Sequence, residues 1–212
     1  MGIIKGSLIT FEGIEGSGKS TQINKIYHKL KKNKIKCIKT REPGGTFLSE
    51  KIRKLIINGL KNNEDSLTEL LLIFASRSNH FKKIYGYLKK GYVVLCDRYI
   101  DSTYVYQHYE QNFSLKFINL IQRKIDNKIL PKITFFIDIP SDVAKKRLSK
   151  RKKRDRFDKY NSFKLNKLRN SFLKLTKKYN RIIKVNGTKS MNEIHNEIKT
   201  QLIKKNVIKN IR

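Results

Sequence analysis

The sequence predicts an α/β fold in three layers, a five-stranded parallel sheet with helices on both faces. Apolar segments of strand length alternate with stretches whose apolar residues recur every three or four positions, the pattern of strands joined by crossover helices. Segments 92–96 and 133–139 are apolar at nearly every position, as strands covered on both sides must be. A glycine-rich turn, 13–18, joins the first strand to the first helix.

In order along the chain, Leu8-Ile9-Thr10-Phe11 reads as a short buried strand, and 19–32 as a helix with Ile23, Ile26, Tyr27 and Leu30 at helical spacing. Residues 35–40 form a second strand, broken by Pro43-Gly44-Gly45. A helix over 48–57 follows, then a long one over 67–88 with an apolar stripe through Leu71, Phe74 and Phe81. Gly91 punctuates before the strand 92–96, which ends at Asp97. A helix spans 115–125, 133–139 is the fourth strand, and a helix begins over 143–148. The polar, basic segment 150–159 reads as a mobile insert, about 149–160 at its widest. A helix over 163–179, a strand over 182–185 and an amphipathic helix over 191–202 close the chain. A length of 212 residues suits one domain, 1–212, carrying that short lid.

Composition bounds the class. No apolar run approaches the roughly 18 residues of a membrane span, and the apolar stretch 8–11 is too short for a secretory leader. Cys37 and Cys96 sit singly in strand-like segments, which suggests a reduced, cytoplasmic protein without membrane association. Forty-nine basic against 17 acidic residues give a formal charge of +32, a field that attracts polyanions. The excess runs from Lys25 to Lys209 instead of gathering on one face. That distribution favours compositional drift over a nucleic-acid footprint, so nucleic-acid binding is not expected.

Gly13-Ile14-Glu15-Gly16-Ser17-Gly18-Lys19-Ser20 matches G-x-x-x-x-G-K-[ST], with a strand before it and a helix after. Such a P-loop wraps backbone N–H groups around a phosphate at a helix N-terminus. Lys19 would reach the β- and γ-phosphates, and the Ser20 hydroxyl would ligate Mg²⁺. ATP or GTP is therefore expected as ligand, with the reaction still open. Thr40-Arg41-Glu42-Pro43-Gly44-Gly45-Thr46 follows the second strand, so Arg41 can aim a guanidinium at another phosphate; a solvated arginine in a turn fits as well. Asp97-Arg98-Tyr99 ends the third strand. There Asp97 can hold Mg²⁺ or its waters and Arg98 can clamp a phosphoryl group, or the two form a strand-capping ion pair. The basic insert carries Arg151, Arg154 and Arg156, any of which could close over phosphates, or simply face solvent.

Together these segments resemble the thymidylate kinase family. The resemblance runs through Phe11–Thr21, Thr40–Thr46, Leu72–Arg77, Asp97–Thr103 with Tyr106-Gln107, and Asp155–Asp158, and Arg-Glu-Pro-Gly-Gly-Thr is its most specific part. It implies a P-loop NTPase fold that passes the γ-phosphate of ATP to dTMP with Mg²⁺, in a homodimer. It further implies that Gly13, Ile14, Glu15, Gly16, Ser17, Gly18, Lys19, Ser20 and Thr21 bind ATP, with Arg147 packing on adenine. On the acceptor side, Arg41 and Arg98 would hold phosphate, Phe74 would stack on thymine and Arg77 would donate to its O4. Thr103 and Gln107 would contact the base, Tyr106 would crowd the 2′ position, and Glu15 would lie near the sugar and phosphate. The P-loop carries no arginine, as in the bacterial branch, which points to the lid and to Arg151 as the third catalytic cation beside Lys19 and Arg98. Arg156 is the alternative. Phe74, on the apolar stripe of its helix, could instead be core, and Arg77 a surface residue of that helix. Two rival readings remain, a kinase for another nucleoside monophosphate or a deoxynucleoside, and a nucleic-acid-stimulated ATPase with Asp138 in a Walker-B-like strand. Ile139-Pro140 stands where the latter needs a glutamate.

Overall fold

The two faces of the central strands feed different cores. A computed structural model describes residues 5–58, 66–126, 129–152 and 155–208. In chain order its first half comprises β1 (Ser7–Glu12), α1 (Lys19–Lys32), β2 (Cys37–Arg41), α2 (Phe47–Asn58), α3 (Ser66–Lys89) and β3 (Val93–Asp97). Then come α4 (Ile100–Thr103), a π-helical turn (Tyr104–Glu110), α5 (Leu115–Asp126), β4 (Ile133–Asp138), α6 (Ser141–Ser149), α7 (Ser162–Lys178), β5 (Ile182–Asn186) and α8 (Met191–Lys204). Ile9, Phe11, Val93, Leu95 and Phe135 meet Ile23, Ile26 and Leu30 of α1 and Ile194, Ile198 and Leu202 of α8. Their neighbours Leu8, Val94, Cys96 and Phe136 point the other way, onto α3, α5, α6 and α7. Alternate residues of one strand thus enter both layers, which is why β3 and β4 are apolar at most positions.

All strands pair in parallel, in the order β2-β3-β1-β4-β5. The chain leaves β1 on one side for β2 and β3 and returns on the other for β4 and β5. Ligands bind at such a switch point, beyond the carboxyl ends of the strands. The register sets Phe11 and Arg41 on either side of Asp97, so Glu12, Arg41 and Asp97 leave the sheet together. Glu42 and Pro43 are joined by a cis peptide bond.

Several expectations shift. The strand expected from Ile35 begins at Cys37, because the Ile35 N–H bonds to the Leu30 carbonyl and closes the end of α1. On α3 the buried ridge is Leu70, Phe74, Phe81, Ile84 and Leu88, whereas Leu71, placed on the stripe, is exposed. α4 and the π-helical turn have no counterpart in the sequence reading, since residues 100–110 show no single apolar period. Within the expected lid, Asp155 Oδ1 accepts from the Phe157 and Asp158 backbones and organises a 3₁₀ turn, Phe157–Lys159. Arg154 lies outside the described residues. Among the described residues no helix is long and apolar enough to cross a membrane.

Candidate functional site

A cavity of about 220 Å³ opens where β1, β2 and β3 end. At its β1 side the phosphate loop turns through Gly13, Gly16 and Gly18, all with positive φ. A Cβ on Gly13 would lie 2.7 Å from the Ile137 carbonyl oxygen, so glycine is required there by space as well as conformation. Lys19 is buried and folds back into the loop, donating to the carbonyls of Gly13 (2.9 Å) and Ile14 (3.0 Å). Burial, then the neighbouring Arg98, lowers its ammonium to about 8. Ser20 Oγ donates to Asp97 Oδ2 at 2.7 Å, which joins the α1 N-terminus to the tip of β3. Arg147 of α6 braces the loop from outside, donating to the carbonyls of Gly16, Ser17 and Gly187.

Arg98 occupies the middle of the cavity at φ 70°. Its Nη2 donates to Glu15 Oε1 at 2.7 Å, and its guanidinium lies 5.3 Å from the Tyr106 ring centroid. Burial works against its charge, but Tyr106, Glu15, Glu12 and Asp97 outweigh burial and hold it above the ordinary arginine value. The Tyr106 hydroxyl donates to both oxygens of Glu15, at 2.8 and 3.1 Å. Burial pushes that phenol well above its usual range. Arg41, 54% exposed, turns its guanidinium onto Glu50. Beside it Arg53 donates to the Pro43 carbonyl and lines the cavity. Burial, then the like charge of Arg41, lowers Arg53. Sequence reasoning passed over Arg53, although it follows the buried Ser49 by one turn of α2.

The far end is built on Arg77, which is buried and has a partner at each of its three nitrogens. Nε donates to Glu42 at 2.6 Å, Nη1 to Gln122 at 3.0 Å and Nη2 to Thr103 at 2.9 Å. Burial opposes ionisation of both Arg77 and Glu42. Their mutual attraction prevails, leaving the guanidinium raised and the carboxyl lowered. His80 completes the cluster, between Glu42 and Thr40. Thr103 and Gln107 line this end, and Gln107 also bonds to Glu69.

Phe74 is the correction. It is buried in the α3 core with the Arg77 guanidinium over its ring at 5.5 Å, and it does not line the cavity. Half-buried Ile73, one helical turn before Arg77, does line it, together with Ile56, Ile57 and Phe157. The two lid arginines separate as well. Arg151 lines the cavity and pairs with Asp158 at 2.8 Å, whereas Arg156 pairs with Glu69 and ties the 3₁₀ turn to α3. Asp138, the Walker-B-like candidate, is held bidentately by Arg169 of α7 and is absent from the lining. Among the described residues no cluster of His, Cys, Asp and Glu could hold a metal ion without help from a ligand.

The family model described as thymidylate kinase matches residues 11–198. A thymidylate kinase of Sulfurihydrogenibium sp. (strain YO3AOP1) is 40% identical over 205 residues, covering 96% of this chain and 100% of that protein. One from Thermosipho africanus (strain TCF52B) is 42% identical over 194 residues, 91% of this chain and 95% of that one. The crystal structure of thymidylate kinase from Ehrlichia chaffeensis superposes with a TM-score of 0.75 at 31% identity, covering 93% of this chain and 98% of that one.

Proposed function

The chain belongs to the thymidylate kinase family, and on that premise we propose how its residues carry out the reaction. It is an ATP-dependent nucleoside-monophosphate kinase that transfers the γ-phosphate of ATP to dTMP, giving dTDP and ADP. One observation carries the assignment of roles: a single cavity has Lys19, Ser20 and Asp97 at one end, Arg77, Thr103 and Gln107 at the other, and Arg98 between.

In this reading the phosphate loop from Gly13 to Thr21 cradles the ATP phosphates and Lys19 neutralises them. Arg147, already seated against the loop, supports the adenine side. Ser20 and Asp97, one hydroxyl and one carboxylate 2.7 Å apart, would hold a Mg²⁺ ion. When bound, the ion would supply charge neutralisation to the ATP phosphates. The acceptor lies with its base on Ile73, its edge toward Arg77, Thr103 and Gln107, and its sugar against Tyr106 and Glu15. Its 5′-phosphate sits among Arg41, Arg53 and Arg98, so Arg41 must exchange Glu50 for substrate. An oxygen of that ionised phosphate attacks the γ-phosphorus in line, the bond to the bridging β–γ oxygen breaks, and ADP leaves. No general base is needed; Arg98 and Arg151 meet the developing charge.

In this reading the protein works in the cytoplasm as a homodimer. The exposed leucines Leu48 and Leu55 on α2, Leu67 and Leu71 on α3 and Leu120 on α5 support the second point. A coupled ADP-release assay with ATP, Mg²⁺ and each of dTMP, dUMP, UMP, CMP, dCMP, AMP and GMP tests the function, with a DNA-only control. Selective turnover of dTMP is expected. Preference for another monophosphate would overturn the base-site roles, and DNA-stimulated hydrolysis without an acceptor would overturn the reaction.

A further inference from the structure

The transfer scheme leaves one buried carboxyl without a part, that of Glu12. It ends β1, is fully buried and does not line the cavity. The turn after β3 takes both of its oxygens: Oε1 accepts from the Tyr99 backbone N–H at 2.7 Å, and Oε2 from the Ser102 hydroxyl at 2.6 Å. That turn carries Arg98. A φ of 70° is unfavourable for a residue with a Cβ, so the turn keeps its shape only because its neighbours impose it.

Ser102 is the link between the two. A serine hydroxyl has one proton to give and two lone pairs to offer. Ser102 gives the proton to Glu12, which leaves a lone pair for Arg98 Nη1 at 3.1 Å. We propose that Glu12 is a positioning residue for phosphoryl transfer, fixing through Ser102 and the Tyr99 backbone the direction in which Arg98 presents its guanidinium. The proposal rests on the transfer role given to Arg98 above.

Glu15 cannot replace it. Glu15 faces the cavity, where an incoming phosphate competes for the same guanidinium, whereas Glu12 stands behind the turn. Lys19 and Arg53 also press on Arg98 with like charge, so a buried anion on the far side offsets a standing repulsion.

The arrangement depends on the proton. Protonated Glu12 would donate to Ser102, whose own proton would then have to turn toward the guanidinium. Burial, then Asp101 of α4, raises the Glu12 carboxyl to about 7, opposed by Arg98 and by its bonds from Ser102 and Tyr99. Lys19 of α1, Cys96 of β3 and Arg181 ahead of β5 also act on this site. The ionised form is the one that seats Arg98.

The test compares kcat, and KM for dTMP and ATP, from about pH 5.5 to about pH 9 in the wild-type enzyme, Glu12→Gln and Glu12→Asp, with Arg98→Ala as reference. Wild-type kcat should fall on the acid side of neutrality. Glu12→Gln should lose roughly 10- to 100-fold in kcat, keep both KM values within about threefold and lose the acid limb. Glu12→Asp should recover part of the rate together with the limb. A Glu12→Gln enzyme with wild-type kcat and an intact acid limb overturns the proposal. If that variant does not fold, Ser102→Ala decides, because it cuts the link without removing a buried charge: lowered kcat supports the proposal and unchanged kcat overturns it. Full activity of Arg98→Ala is a separate failure, which removes the transfer role of Arg98 and the proposal with it.

Discussion

Arg151 and Arg156 come from the same basic segment and are held by different elements, which gives them different expected effects. Arg151 is half-exposed, faces the cavity and, among the described residues, is paired with Asp158 within the lid, so phosphates can draw it away. Arg151→Ala should cut kcat by ~10³-fold while dTMP affinity, read by calorimetry, stays nearly unchanged. A large loss of dTMP binding with normal turnover would transfer the role to another cation. Ile73 makes the opposite prediction. It offers aliphatic area and no charge, so Ile73→Ala should raise KM for dTMP by ~10-fold with kcat nearly kept, roughly 1–2 kcal/mol of lost apolar contact. Glu12 adds a thermodynamic signature. Its folded-state carboxyl is raised from 4.5 to about 7, so the native state binds the proton more tightly than the unfolded chain. Stability from this group is therefore greatest below the unfolded value and falls as pH rises through 7. Near pH 8 thermal melts should find Glu12→Gln no less stable than wild type, and more stable by up to roughly 1–3 kcal/mol. An equal loss of stability at every pH would show that the carboxylate serves folding alone.

At the scale of elements, α2, α3 and α5 leave an apolar surface that their own chain does not cover. Leu48 and Leu55 are one heptad apart on α2, and Leu67 and Leu71 one turn apart on α3, so each pair shares a face. Phe117 and Leu120 are exposed on α5, which packs against α3. A charge in the middle of that surface should oppose self-association, so Leu71→Glu is expected to elute as a monomer where wild type elutes as a dimer in light-scattering chromatography. A wild-type monomer would remove the homodimer reading. The same helix shows what the sequence could disclose. Its length and helical period were legible, but Leu70 and Leu71 are adjacent leucines, and only the packing of α3 on the sheet decides which is buried. The phosphate loop was legible in full because its glycines and lysine act through backbone geometry set locally. That Arg77, Thr103 and Gln107 would meet in one cavity was legible only through family resemblance, which named Phe74 and passed over Ile73. An aromatic ring suggests stacking, whereas its direction from α3 follows from the core that α3 shares with β3 and Tyr99, which no local pattern records. Glu12 was invisible for the same reason, since its partners lie ~90 positions away along the chain and meet it only across the β1–β3 pairing.

At the scale of the whole molecule the charge of +32 acts in two directions at once. Like charges spread along the surface repel one another and oppose compaction, and this repulsion is relaxed by salt. ATP and dTMP are anions, and the same field draws them toward a cavity already lined by Arg41, Arg53 and Arg98. Raising ionic strength from about 0.02 M to about 0.3 M shortens the screening length several-fold. The melting temperature should therefore rise over that range while kcat/KM for dTMP falls. The loss should appear mainly in KM, because the contacts that neutralise charge during transfer sit inside the cavity, where salt screens them less. Measuring both quantities on the same samples separates this field from binding to a polyanion. If added DNA inhibits the enzyme at low salt and raises its melting temperature by as much as salt does, the surface charge works as a polyanion site and the expectation of no nucleic-acid partner fails. If DNA leaves turnover unchanged while salt moves the two quantities in opposite senses, the charge serves only as a field that attracts small anionic substrates and weakens the fold.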